Sequence, residues 1–381
     1  MTDTYTDLAN RREVYISRFA SYLRNEYSTP NLEDAYKQAR LILLDAEAIL
    51  SRKQLNLLTS AVSSAIAEST NESWGKVTGE LDDLAALESS YYAKMFGDVN
   101  SVVLAVPLAA DVVDRVTKSK LSLDSGQKGA WAKFTKENTD SVTKMFVEQI
   151  KTGYGESESI GQINKRLKAV SSGVLKNQAE ALIRTGVSHY ANESREELMR
   201  FNSDIITGKY FNATFDSRTT TICMHFASDP YYDIGDKSAP QLPLHFNERS
   251  NWLFLTDGKK IPSGTKPALK GKKSKEAEDK YYRRKEALDK RRDNENITGT
   301  TASKVRYRGR KDSDMYTAGQ IKGSTPIDEW LRSNPRWFID SSLGPERAEL
   351  FISGKVPLKG FADMTGRQLT LKELYDEIEK K

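Results

Sequence analysis

Cysteine and histidine are scarce in this 381-residue chain, which has one of the first, Cys223, and three of the second. A lone cysteine excludes an internal disulfide framework and fits assembly in a reducing cytoplasm. Long hydrophobic runs are missing as well. The least polar stretch, Val102 to Val113, is about half of the roughly 20 residues a membrane span needs, and it contains Pro107 and Asp111. It is expected to be a buried segment or an interface strip, and no membrane contact is expected. The opening residues, MTDTYTDLANRREVY, are polar and mixed in charge, unlike a secretory signal. Also absent are an internal repeat, a paired acid cluster for magnesium, a phosphate-cradling glycine loop and a nucleophile elbow. These absences argue against an enzyme and against a small-molecule substrate.

What is present is polar and helical in pattern. Hydrophobic residues make up 38% and charged residues 29%, which predicts a soluble chain with a thin core, elongated or partly open, that completes its burial against partners. The net charge of +5 is unevenly spread. Between Lys259 and Lys311 stand 19 Lys or Arg and 7 Asp or Glu, a local net of +12, so the remainder carries −7. One basic segment on an acidic body suggests an arm that meets phosphate or an acidic protein surface.

The fold class expected is α+β, predominantly α-helical. Residues 1–130 read as a helical N-terminal region. Tyr15, Ile16, Phe19, Tyr22 and Leu23 recur at helical steps. Pro30 interrupts, Asn31 caps a new helix, and Ala35, Ala39, Ile42 and Leu43 give that helix an apolar stripe. Residues 131–258 form a core of helices and a small sheet. It has helices from Trp131 to Lys151, from Ser159 through Leu167 and from Ala179 to Phe201, the last with charge on its outer face and His189 at the surface. Lys209–Phe215 and Trp252–Thr256 alternate like strands, with Asp257-Gly258 as a turn. Residues 259–325 are a basic, flexible arm with one helical island near Ala277 to Arg292. Its DNA-binding candidates are Lys272, Lys273, Lys275, Arg283, Arg284, Lys285, Arg291, Arg292, Arg306, Arg308, Arg310 and Lys311, with Tyr281, Tyr282 and Tyr307 interleaved as a stacking surface. Residues 326–381 form a tail of short helices punctuated by Gly344, Gly354 and Gly366.

Chemistry could reside around Cys223, His225 and His245. Zinc takes about four ligands. With only these three N or S donors, Asp216, Asp229 or Asp233 would have to complete the set. The plainer expectation is a small buried thiol and two histidines bonded to loop backbone, with no metal and no cofactor. Read as an enzyme, the same residues suggest a nuclease or toxin-like effector with His225 or His245 as general base and Arg218 as phosphate clamp. Asp216-Ser217-Arg218-Thr219 reads by default as a pinned turn.

Taken in order, Arg184-Thr185, then Gly208 through Thr219 and Cys223, then Pro243-Leu244-His245-Phe246-Asn247-Glu248-Arg249 resemble the core signature of the Mu F-like phage head-morphogenesis (minor head) family. That signature has an RT helix, a strand ending in D-S-R-T-C-x-x-C, and a P-x-H-x-x-C-R segment. The motif residues that carry over are Arg184, Thr185, Asp216, Ser217, Arg218, Thr219, Cys223 and His245. Thr220 stands where the first cysteine would be, and the later one is replaced at Asn247 or Glu248. If family members hold a metal there, this chain is expected to have lost it. From Asp328-Glu329-Trp330-Leu331 to Gly366-Arg367-Gln368-Leu369-Thr370-Leu371 the C-terminal region is similar to the family tail. The resemblance implies a low-copy virion component at the portal or inner capsid, assembled in the host cytoplasm. It would act in head morphogenesis and in genome packaging or ejection. Its partners would be the portal protein or major capsid protein and double-stranded DNA, met through phosphate without sequence readout.

Overall fold

Short polar signals set where several helices begin. Thr4 with Asp7, Ser51 with Gln54, Ser159 with Gln162 and Thr370 with Glu373 each form a capping box, in which the two side chains satisfy one another's backbone N–H groups. The computed structural model describes residues 4–46, 50–256, 263–294, 312–363 and 367–380, with the backbone alone for 292–294. The fold is α+β and predominantly helical, with small antiparallel sheets.

The first box starts α1 (Tyr5–Leu23), which runs through a π-helical turn at Arg24–Ser28 into α2 (Thr29–Leu44). Pro30 therefore does not interrupt the chain; it sits in the first turn of α2, where a missing N–H costs little. Asn31 caps nothing, and its amide instead donates to the Ser69 carbonyl and hydroxyl, both at 2.8 Å.

Ser51 opens α3 (Arg52–Asn100), a helix of 49 residues and roughly 70 Å. Its buried positions Thr59, Val62, Ile66, Thr70, Trp74, Val77, Leu81, Leu84, Glu88, Tyr92 and Met95 follow one another at three- and four-residue steps, so one stripe faces inward along most of its length. That stripe passes through three apolar cores in turn. Val62 and Ile66 pack with α2, α5 (Trp131–Gly155) and α6 (Ile160–Val170). Trp74 to Ala85 pack with α1, α4 (Ala109–Lys118) and α7 (Lys176–Phe201). Tyr92 to Phe96 join the largest core, around the sheets.

The sequence expectation of a charged outer face on α7 is corrected here. Residues from Thr185 to Arg195 are all buried, because α7 packs against α1, α3, α4 and α5 on its several sides. His189 is fully buried, shares a 2.9 Å hydrogen bond with the Ser119 hydroxyl, and is pushed by burial down to a pKa of about 4. The Val102–Val113 stretch divides: Val112 is buried on α4, whereas Val103 (88% exposed) and Leu108 (72%) stand in solvent on the segment before it.

After α7 the chain makes a three-stranded antiparallel sheet in the order β4 (Tyr231–Asp233), β3 (Gly208–Asn212), β5 (Asn251–Leu255), with Gly208 opposite Leu255 and Asn212 opposite Asn251. A minor hairpin, β1 (Leu121–Ser122) with β2 (Lys128–Gly129), precedes α5. Helix α8 (Thr221–Ser228) lies between β3 and β4.

The expected flexible arm is also corrected where it is described. Residues 265–294 and 316–322 form β6 (Thr265–Gly271), α9 (Lys275–Asn294) and β7 (Tyr316–Lys322), the two strands pairing antiparallel. Aromatic burial holds them down. Tyr281 is 2% exposed and packs on Trp337, and the Trp337 indole N–H donates to the Lys272 carbonyl at 3.2 Å. Gly271 is required at this closure, since a Cβ there would meet Trp337 and Phe338 at 2.9 Å. Tyr281 is thus core, not a stacking surface; Tyr307, the Asp257-Gly258 turn and Gly366 lie outside the described residues. The C-terminal helices α10 (Ile327–Arg332), α11 (Arg336–Leu343), α12 (Pro345–Ile352) and α13 (Leu371–Glu379) share this same core with Tyr5, Phe96, Phe254 and Ala277, so its packing crosses every boundary drawn from the sequence.

Candidate functional site

The signature segments meet at one end of the three-stranded sheet. Beyond β3 the chain turns at Asp216. Its backbone N–H donates to the Thr219 hydroxyl at 3.1 Å, while its carboxylate accepts the Arg218 N–H at 2.8 Å, so the turn is pinned by its own residues. The same carboxylate receives Arg249 as a fork, Nη1 at 2.6 Å and Nη2 at 2.9 Å. Arg249 closes the loop that begins at Leu242. That loop is tied to α7 as well, because the Asn247 N–H donates to the Thr185 hydroxyl at 3.2 Å. Asn247 holds a left-handed backbone, φ 61°, which asparagine tolerates better than most residues. Arg184, one residue before Thr185, pairs with Glu180 at 2.9 Å. The motif residues Thr185, Asp216, Arg218, Thr219 and Arg249 are therefore joined by direct bonds or turns.

Burial alone would raise the Asp216 carboxyl, but the hydrogen bonds and charge of Arg249, with Arg218, outweigh it and hold the group below the usual carboxylate range. A carboxyl depressed in the folded state contributes stability above its unfolded value near pH 4 and loses it as pH falls toward the folded value. Asp216→Asn is expected to lower unfolding stability by about 1.5–3 kcal/mol at pH 7, the range for hydrogen bonds to a charged group. The difference from wild type should begin to shrink below about pH 4, where the unfolded chain takes up the proton that the folded Asp216 still resists. Urea unfolding at pH 7 and pH 3 checks this; an equal difference at both values contradicts it.

Thr220 caps α8, its hydroxyl accepting the Cys223 N–H at 3.3 Å. Cys223 is buried on the first turn, and its Sγ lies 3.1 Å from His245 Nε2 and 3.1 Å from Glu248 Oε1. Burial, reinforced by the Glu248 carboxylate, pushes the thiol well above its ordinary range. His245 Nδ1 donates to the Phe246 carbonyl at 2.8 Å, and Glu248 Oε2 accepts the Leu244 N–H at 2.6 Å. Over this cluster opens a cleft of about 550 Å³ lined by Arg184, Ser217, Arg218, Thr220, Cys223 and His245, among others.

The three residues singled out for metal or acid–base chemistry do not come together as a set. Cys223 and His225 stand two residues apart on α8, so they leave it on different faces. His225 donates from Nδ1 to the Lys359 carbonyl at 2.5 Å, and it lines a separate cleft of about 470 Å³ with Asp229, Tyr232 and Lys359. Asp216 is engaged by Arg249. The third member of the cluster is instead Glu248, one of the two positions at which the resemblance implies a replaced cysteine. Its position three residues after His245 was the available signal.

The basic candidates are divided too. Arg284 is paired with Asp312 at 2.6 Å and Lys285 with Asp289 at 2.7 Å, and Lys272 donates to the Ser313 carbonyl at 2.7 Å. Lys273, Lys275, Arg283 and Arg291 are exposed on or beside α9. The side chain of Arg292, and all of Arg306, Arg308, Arg310 and Lys311, lie outside the described residues. No helix of the described residues is long and apolar enough to cross a membrane.

Comparison of the chain with family models, curated proteins and solved structures gave no match.

Proposed function

We propose that this chain is a minor head protein of a tailed bacteriophage, a low-copy virion component near the portal vertex that acts in head morphogenesis and in genome packaging or delivery by binding and not by catalysis. The observation that carries the reading is the knot just described. Arg184-Thr185, Asp216–Thr219, Cys223 and Pro243–Arg249 are distant in sequence, yet they are the segments that resemble the Mu F-like signature, and they bond to one another at one place. Segments matched by chance have no reason to meet. Two further features suit the role. Exposed Val103 and Leu108 offer apolar contact to a portal or capsid partner. Exposed Lys273, Lys275 and Arg283, with the basic run from Lys304 to Lys311, suit contact with packaged DNA through phosphate. The effector reading draws less support, since His225 and His245 serve different clefts.

Gradient-purified virions of the encoding phage are expected to contain the chain at far fewer copies than the major capsid protein, measured by quantitative mass spectrometry. Absence from both virions and assembling proheads overturns the proposal. So does cleavage of DNA or RNA by the pure protein that His245→Ala abolishes.

A further inference from the structure

The resemblance implies that two cysteines are replaced in this chain, but the side chains that converge around Cys223 form a candidate ligand set of their own. We propose that Cys223, His245 and Glu248 bind a single zinc-class dication, with the fourth coordination position facing the cleft beside Thr220.

Geometry is the first support. One ligand atom from each residue can be chosen so that all lie within 4.8 Å of one another. Sγ stands 3.1 Å from both His245 Nε2 and Glu248 Oε1, and Nε2 stands 3.9 Å from Glu248 Oε2. Zinc bonds of about 2.0–2.3 Å in a tetrahedron place neighbouring ligand atoms about 3.3–3.8 Å apart. The two Sγ separations fall a few tenths of an ångström short of that edge and the remaining pair lies within 4.8 Å, so an ion fits with small side-chain shifts.

The second support is the orientation of the outer contacts. A histidine binds metal through one ring nitrogen when the other gives its proton to a fixed acceptor. His245 does this, with Nδ1 on the Phe246 carbonyl and Nε2 turned to the cluster. Glu248 is likewise fixed by the Leu244 N–H on Oε2, leaving Oε1 beside the sulfur.

Charge is the third. The Glu248 side chain is fully buried, and Cys223 is 4% exposed. On binding, the Cys223 thiol would release its proton to solvent, and a thiolate, a carboxylate and a neutral imidazole then sum to −2, which a dication cancels. Cys, His and carboxylate together favour zinc or its cobalt substitute over magnesium or calcium, which select oxygen. Three protein ligands with an open fourth position are the pattern of sites that keep a water or take a ligand. The bound ion would also clamp α8 to the Leu242–Arg249 loop, next to the Asp216–Arg249 fork.

The inference does not rest on the head-protein reading, because a protein of any role could carry the site. Its test uses cobalt(II) added to the full-length apo-protein, with circular dichroism confirming the fold. Since Cys223 is the only cysteine, a thiolate-to-cobalt charge-transfer band in the near ultraviolet can come from this site alone. The band is expected to saturate at one cobalt per chain and to be bleached by zinc. Cys223→Ser should abolish it, and Glu248→Gln should weaken binding by about tenfold or more. Thr220→Cys should tighten binding by supplying a fourth ligand, a second sulfur, a gain that a misfolded variant cannot mimic. Absence of the band in folded wild-type protein overturns the proposal, and so does cobalt binding undiminished in Cys223→Ser.

Discussion

Replacing Glu88 by alanine should destabilise this protein by about 3 kcal/mol, because it takes from a buried cation the carboxylate that accepts two of its hydrogen bonds. Arg195 on α7 is fully buried, and its Nε and Nη2 donate to Glu88 Oε1 at 3.0 and 2.6 Å. Glu88, equally buried on α3, also takes Arg12 of α1, whose Nε lies 2.9 Å from Oε2, while Glu13 stands 2.7 Å from Arg195 Nη1. One carboxylate thus joins three helices, and the Tyr92 ring lies 4.2 Å beneath the Arg195 guanidinium. Burial opposes the charge on Arg195, but Glu13, Tyr92 and Glu88 outweigh it and hold the group firmly protonated. Removing Glu88 leaves a guanidinium that cannot discharge, with Glu13 still on Nη1 but Nε and Nη2 without their acceptor in a fully buried site. The double variant Glu88→Leu with Arg195→Met should recover a large part of the loss, since well-packed apolar pairs often replace a buried ion pair at little cost. Urea midpoints for the wild type, single and double variants measure this. A single variant within about 1 kcal/mol of wild type would show that Arg195 finds water or another partner.

Trp337→Ala is expected to cost about 3–5 kcal/mol and to release the basic helix α9. Trp337 is 1% exposed and packs on Tyr281, Tyr316 and Phe338, at ring separations of 5.8, 5.3 and 5.9 Å. It is the piece that joins α9, β7 and α11, so its truncation should expose the Lys and Arg residues of α9 to trypsin before global unfolding. Cleavage within 280–284 in the variant but not in the wild type is the expected result. Equal early cleavage in both proteins would restore the picture of a loose arm.

How far the fold was legible follows from which signals are local. Helices α2, α5 and α6 and strands β3 and β5 are written in periodicity, and the structure has them within a few residues of expectation. The capping boxes at Thr4, Ser51, Ser159 and Thr370 are equally local, each an S/T-x-x-D/E/Q pattern. The full length of α3 was harder to read, since Thr70, Glu88 and Ser89 occupy inward positions and break the apolar stripe. Burial of α7 could not be read at all. Its charged residues look solvated until Glu88 and Glu13, from other helices, are known to meet Arg195. Charge counting misled for the same reason in the basic segment. Lys266, one of the 19, lies under the Phe215 ring at 3.6 Å, and burial pushes its amine down to about 7.

The site divides in the same way. The Asp216–Thr219 turn is local, and its bonds are those the residue types call for. That Arg249 supplies the partner of Asp216, and that Glu248 joins Cys223 and His245, depends on how the Leu242–Arg249 loop returns to α8. Spacing alone favoured His225, which helix geometry turns away.

The central claim is that this chain works at the portal vertex of a phage head. The most direct measurement is an asymmetric cryo-electron microscopy reconstruction of that vertex in DNA-filled virions of the encoding phage. The account predicts density there for the helix α3, about 70 Å long, with the three-stranded sheet packed at its C-terminal end. A vertex fully accounted for by other proteins, in virions and proheads that lack this chain, would contradict it.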